Sequence, residues 1–154
     1  MSDPLWRPVV PNGRVLLAAM RLNPESLSKK QVTVPATAWR ALLSILVSAL
    51  PFDEEFYAAT YPDIDEARRR GEIPDLRMHF VENGYFEGRL GSAPRVDEAF
   101  YLARYRDVAL AIAAGQFDSA REHYIKVGAA EGRAASEHDL EALHVWINLL
   151  RRGY

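Results

Sequence analysis

Apolar side chains recur at helical spacing along most of this chain. Between residues 35 and 50, Trp39, Leu42, Leu43, Leu46 and Leu50 fall three or four positions apart, which is one face of a helix. Pro35 suits its first turn. Ile45, Val47 and Ala49 make most of the remaining circumference apolar too, so the pattern predicts a helix buried on several sides. A second helix is predicted over 137–152, where Leu140, Leu143, Trp146, Ile147 and Leu150 share a face. Ser136 and Asp139 supply its cap signal, and Arg151 and Arg152 complement its C-terminal dipole. The first 34 residues read differently. Asn12-Gly13 between two apolar runs predicts a hairpin, Asn23-Pro24-Glu25-Ser26 a further turn, and QVTV (31–34) a strand. A small β element or irregular arm is therefore expected over 1–34.

Between the two predicted helices the chain repeats itself. Shifted by 44 residues, FDEEFYAATYPDIDEARRRGEIPDLRMHFVENGYFEGRLGS (52–92) falls without a gap on VDEAFYLARYRDVALAIAAGQFDSAREHYIKVGAAEGRAAS (96–136). Such self-similarity marks a duplicated supersecondary unit. Each copy reads as three short helices. Asp53 and Asp97 are N-caps, since a carboxylate accepts the orphan N–H groups of a first turn. Pro62 breaks the first helix, Asp63 and its equivalent Asp107 open the second, and Glu66 completes a capping box with Asp63. Gly71 and Gly115 end the second helix through the left-handed conformation open to glycine. Asp75 and Ser119 start the third, which Gly84 and Gly128 end. Gly88 and Gly132 permit another tight turn inside the twice-repeated Glu-Gly-Arg. Its flanking Glu87/Arg89 and Glu131/Arg133 are placed to tie that turn to backbone carbonyls or to each other. The expected fold is mainly α: tandem duplicated three-helix units (52–92 and 96–136) bracketed by two apolar helices, in a helical domain of residues 35–154.

Composition narrows the chemistry. The chain carries no cysteine, which excludes disulfides and thiolate catalysis. Net charge is −2, but six basic and two acidic residues over 1–51 precede five basic and ten acidic over 52–92. A basic head on an acidic body hints at a polar partner or self-association. The most apolar run, ALLSILVSAL (41–50), is far shorter than the roughly 20 residues of a membrane helix, and the start lacks a signal-peptide pattern. A cytoplasmic protein without membrane insertion is expected.

Candidate reactive groups have simpler structural explanations. His79 and His123 are equivalent, but metal centres need three or four ligands. Structural histidines bonded to a carbonyl or to Asp63/Asp107 fit better, so no metal and no cofactor is expected. The acidic cluster Asp53, Glu54, Glu55, Asp63, Asp65 and Glu66 could supply a glycosidase pair, yet capping and helix dipoles already account for it. GRLG and GAAEG lack the strand and lysine of a phosphate loop. Tyr85 and Phe86 stand apart: alanines occupy their places in the second copy, so the fold does not demand aromatics there, and an aromatic pair on a turn suits a binding hot spot. KKQVTVPATAWRALLSIL also has the order of a DNA-binding ribbon–helix dimer, with Lys29 and Lys30 on phosphates, although base-reading side chains are scarce and Pro35 follows at once. Strand-mediated self-association without DNA is the more economical reading.

The string FD..FY...YPDI......G......HF...G..EGR..S resembles a repeated module, of usual form FD..YYL..NPDV...G.....HYL..G..EGR.PS, found beside catalytic domains in some bacterial glycosyltransferases and surface-polysaccharide proteins. The likeness spans about residues 40–136 and rests on Phe52, Asp53, Tyr57, Tyr61, Pro62, Asp63, His79, Gly84, Glu87, Gly88, Arg89 and Ser92, and on matching second-copy residues from Asp97 to Ser136. Tyr61 stands where the pattern has Asn, and Arg106 where it has Pro. The resemblance implies an accessory module linked to polysaccharide production. The expected function is a non-catalytic scaffold binding a protein partner, with Tyr85, Phe86, Arg89 and Arg133 as candidate contacts for protein or sugar. Direct carbohydrate binding is the first alternative and DNA binding the second. A homodimer or higher oligomer through the N-terminal arm and the apolar helices is also open.

Overall fold

The computed structural model describes residues 12–152 and is mainly helical, with no strand among the described residues. The chain divides into two compact units, Met1–Leu46 and Val47–Tyr154.

In the first unit Asn12-Gly13 opens a helix and not a hairpin. Asn12 Oδ1 accepts the Arg14 amide at 2.9 Å and caps α1 (Gly13–Ala19). An isolated Asn-Gly pair serves a helix N-terminus as well as a turn, and the run RVLLAA that follows is, Val15 apart, made of good helix formers. The apolar run before Asn12 lies outside the described residues. Arg21 takes a left-handed φ of 60° after α1. Asn23 and Ser26 then exchange side-chain bonds across a 3-10 turn, Pro24–Ser28. Residues 31–34 form no strand; β-branched composition needs a paired edge to become one. α2 (Ala36–Ser48) forms within the span predicted for it, one residue short at the start and two at the end. The expectation of burial on several sides does not hold: only Val47 is buried, and Trp39, Ile45 and Leu46 are about half exposed. Periodicity identifies a surface fit to be covered without supplying the cover.

The second unit carries the same local architecture at both repeated segments. The first has α3 (Glu54–Thr60), α4 (Pro62–Arg69) and α5 (Leu76–His79). The second has α6 (Glu98–Arg104), α7 (Arg106–Ala113) and α8 (Ala120–His123). Asp53 and Asp97 each accept the amide three residues on, at 3.0 Å. Asp75 and Ser119 cap α5 and α8 in the same way. The first helix stops at the same place in both segments, although Pro62 follows it in one and Arg106 in the other. Proline is therefore not what breaks it. Tyr61 and Tyr105, at φ −122° and −113°, make the corner. Their hydroxyls accept the Leu90 and Ala134 amides at 2.7 and 2.9 Å. Asp63 does not cap α4, because the cap position is Tyr61.

Gly71 and Gly115 end α4 and α7 at φ +77° and +73°, as predicted. Gly84 and Gly128 act otherwise. α5 and α8 widen into a π turn, with Tyr85 N–H reaching Phe80 O and Ala129 N–H reaching Tyr124 O, both at 2.9 Å. The backbone stays right-handed through Tyr85 and Ala129. What Gly84 and Gly128 provide is room: a Cβ there would collide with the Tyr57 or Tyr101 hydroxyl. The left-handed residues that close these turns are Gly88 and Gly132.

Each segment builds its own small core around a fully buried tyrosine. Tyr57 packs with Val47, Ile64, Leu76, Phe80 and Val81, and Tyr101 with Val108 and Ala120. A buried side chain of this size contributes about 1.5–3 kcal/mol, so the first core, with Leu76 where the second has Ala120, is the stronger. Backbone bonds shut each segment on itself, Asp53 N–H to Gly91 O at 2.8 Å and Asp97 N–H to Ala135 O at 3.0 Å. α9 (Glu137–Arg152) follows, its first turn tied by Asp139 N–H to Ser136 Oγ at 3.1 Å.

Gly84→Ala or Gly128→Ala should destabilise the unit by well over the ~1 kcal/mol of an average substitution, since the new methyl displaces a buried hydroxyl. Gly71→Ala meets open space and should cost only the backbone strain of about 1–2 kcal/mol. Urea denaturation of the three variants measures the difference.

Candidate functional site

The two Glu-Gly-Arg turns are where the sequence concentrates its charged and aromatic candidates. Arg89 is the hub of the first. Its guanidinium lies 4.9 Å from the centroid of the Tyr61 ring. Two nitrogens donate to Asp63, at 3.1 and 2.8 Å, and Nε donates to Glu87 at 2.8 Å. Arg133 repeats the arrangement: Tyr105 at 4.9 Å, Asp107 at 3.1 and 2.7 Å, Glu131 at 2.6 Å. The planar guanidinium suits this double task of stacking and forked donation. The Arg89 hydrogen bonds hold the Asp63 carboxyl below its ordinary range, and Arg133 does the same for Asp107. The arginines are pushed up in turn, chiefly by those same bonds.

Beneath each arginine a buried tyrosine meets a histidine. The Tyr57 hydroxyl and His79 Nδ1 are hydrogen-bonded at 3.0 Å, and Tyr101 and His123 Nδ1 at 3.1 Å. The histidines thus bond to tyrosine, not to Asp63/Asp107 or a carbonyl as the sequence suggested. Burial raises both hydroxyls, Tyr101 to about 12. Burial, then the nearby Arg133, lowers His123 below its usual value. With Tyr57 and Tyr101 fully buried, this pairing is an internal strut.

The acidic cluster is similarly accounted for. Asp65 pairs with Arg68 and Arg69, and Glu66 with Arg70, along exposed α4. Asp53 caps α3. Among the described residues no three His, Asp or Glu side chains stand together as metal ligands would, and no helix is long and apolar enough to cross a membrane.

Tyr85 and Phe86 are exposed and meet edge to face, centroids 5.4 Å apart. Tyr85 also sets its edge against buried Phe80 at 6.1 Å. It forms one wall of an open groove of about 540 Å³ whose other walls include Leu50, Tyr124, Asp139, Leu143 and Trp146. Sequence reasoning missed Tyr124, Trp146 and Asp139 as neighbours of Tyr85, because only the docking of α9 beside the second turn brings them together. It also missed Asp63 and Asp107 as arginine partners, although a separation of 26 residues in both segments was a readable signal.

The turns touch each other. A Cβ on Gly88 would lie 3.1 Å from Ala130 Cβ and 3.2 Å from Ala130 Cα, whereas Gly132 faces open space. Of the alanines at the positions equivalent to Tyr85 and Phe86 in the second segment, Ala130 therefore has a cause: an aromatic there would strike the first turn. No family model matches this chain, and comparison with curated proteins and with solved structures finds no match either.

Gly88→Ala should destabilise more than Gly132→Ala in thermal melts. Both strain a left-handed residue, and only the first crowds Ala130. Stability should also fall on acidification. A His123 held below its ordinary pKa opposes folding once protonated, so stability declines as pH drops below about 6.5. Asp63 and Asp107, held low by arginine, remove a further increment as pH falls below about 4. A melting temperature that is flat from pH 7 to pH 3 would contradict this (range set by the unfolded values, about 6.5 and 3.9).

Proposed function

We propose that this chain is a non-catalytic interaction module that binds a protein partner of a bacterial surface-polysaccharide or envelope system. The observation that carries the reading is the division of labour between the two turns. Arg89 and Arg133, with their carboxylates, are engaged in the same internal network in both. Tyr85 and Phe86 add exposed aromatic surface to one turn only. Arg89 and Arg133, candidates for contact in the sequence, are better read as part of the frame, with Tyr85 and Phe86 as the contact. The polysaccharide context rests on the resemblance of the repeated segments to modules beside glycosyltransferases, and the reading of 52–92 and 96–136 as one duplicated unit rests on their matching hydrogen bonds.

A second reading, a carbohydrate ligand held directly, is favoured by the groove itself. Tyr85, Tyr124 and Trp146 line it with aromatic rings and Asp139 supplies an acceptor, the mixture of apolar walls and a few polar groups typical of small-ligand clefts. The DNA-binding alternative would need residues 31–34 to become a strand on dimerisation, and no further observation favours it.

Tyr85→Ala with Phe86→Ala should cost only about 1 kcal/mol of stability, the edge contact with Phe80. Immobilised protein should retain a polysaccharide-assembly protein from extracts of its native cell, and the double variant should not. If the variant retains the same proteins, the aromatic pair is not the contact. Titration with surface glycans by calorimetry decides the second reading.

A further inference from the structure

We infer that α9 pairs with α9 of a second copy of this chain, antiparallel, about a twofold axis near the helix midpoint. This surface reaches Tyr85 through the groove and does not include Phe86; the inference does not depend on the proposed function.

From residue 141 to 151 every side chain of α9 is exposed, including Trp146 at 54% and Leu150 at 75%. A 16-residue helix whose apolar face is left largely uncovered is marginal in water. Leu140, Leu143, Ile147 and Leu150 are spaced three, four and three apart, the a-d-a-d seam along which two helices interlock.

The charges select the occupant and its direction. α9 begins with Glu137 and Asp139 and ends with Arg151 and Arg152. A reversed second copy sets acidic against basic at both ends, and opposes the helix dipoles favourably. In register, Leu140 meets the partner's Leu150 and Leu143 meets the partner's Ile147. Glu137 then flanks the partner's Arg151, and the twofold repeats that pair at the other end. A parallel pair would hold the two acidic ends together and separate Glu137 from Arg151. The groove beside the first half of α9 continues the apolar surface through Leu50, Tyr85 and Tyr124. In the antiparallel arrangement that is where the partner's exposed Leu150 arrives.

A helix of this length spans about 24 Å, so the contact is modest and association should be weak. Sedimentation equilibrium of the full chain, from low-micromolar to near-millimolar concentration, should show a monomer–dimer equilibrium. Glu137→Arg and Arg151→Glu each turn two attractions into repulsions and should weaken the dimer about tenfold at low salt. The two together should restore it. Both substitutions lie at exposed positions of α9, and circular dichroism confirms that each of the three variants folds. A protein monomeric at every concentration overturns the proposal. So does a dimer indifferent to both reversals, or one that the double reversal fails to rescue.

Discussion

A guanidinium laid across a tyrosine ring organises this protein, and does so twice. Tyr61 and Tyr105 make the corner between consecutive helices, and their hydroxyls fasten the strand of chain just after the arginine. The arginine covers the ring and grips an aspartate at the start of the next helix. Corner, helix start and turn are thereby joined at one point. The buried tyrosine below, bonded to its histidine, needs the absence of a side chain at Gly84 or Gly128. Removing the arginine would leave an aspartate without its partner, an uncovered ring and a loosened turn.

Because the frame is closed internally, variation between the segments is informative. Leu76 against Ala120 alters core volume. Phe86 against Ala130 alters something else: Ala130 must be small to admit Gly88 of the neighbouring turn, while Phe86 is free to project. Of the pair of turns, one is thus held small by packing at Ala130 and the other carries exposed aromatic surface.

Much of this was legible in the sequence, and the failures are physical. α2 and α9 appeared at nearly their full predicted lengths, and Asp53, Asp97, Gly71, Gly115, Gly88 and Gly132 took their expected roles, because caps and left-handed glycines depend on local geometry. Asn12-Gly13 failed because the same dipeptide serves helix caps and hairpins, and the distinction lies in the pairing of distant residues. Asp63 failed because the tyrosine corner makes Tyr61 the cap and Pro62 the first helical residue, which leaves Asp63 inside the first turn. Burial of α2 failed because periodicity marks a face without naming its cover. The groove around Tyr85 and Trp146 was unreadable, since it exists only once α9 is placed.

The central claim is that Glu-Gly-Arg is a piece of framework, and a double-mutant cycle tests it most directly. Measure urea stability for Arg89→Ala, Asp63→Ala and the pair. Exposed ion pairs couple by about 0–1 kcal/mol; a forked, ring-stacked pair should exceed that, about 1–2 kcal/mol. An Arg89→Ala variant that keeps full stability, with coupling indistinguishable from zero, would show that the arginine is displayed for a partner and contradict the account.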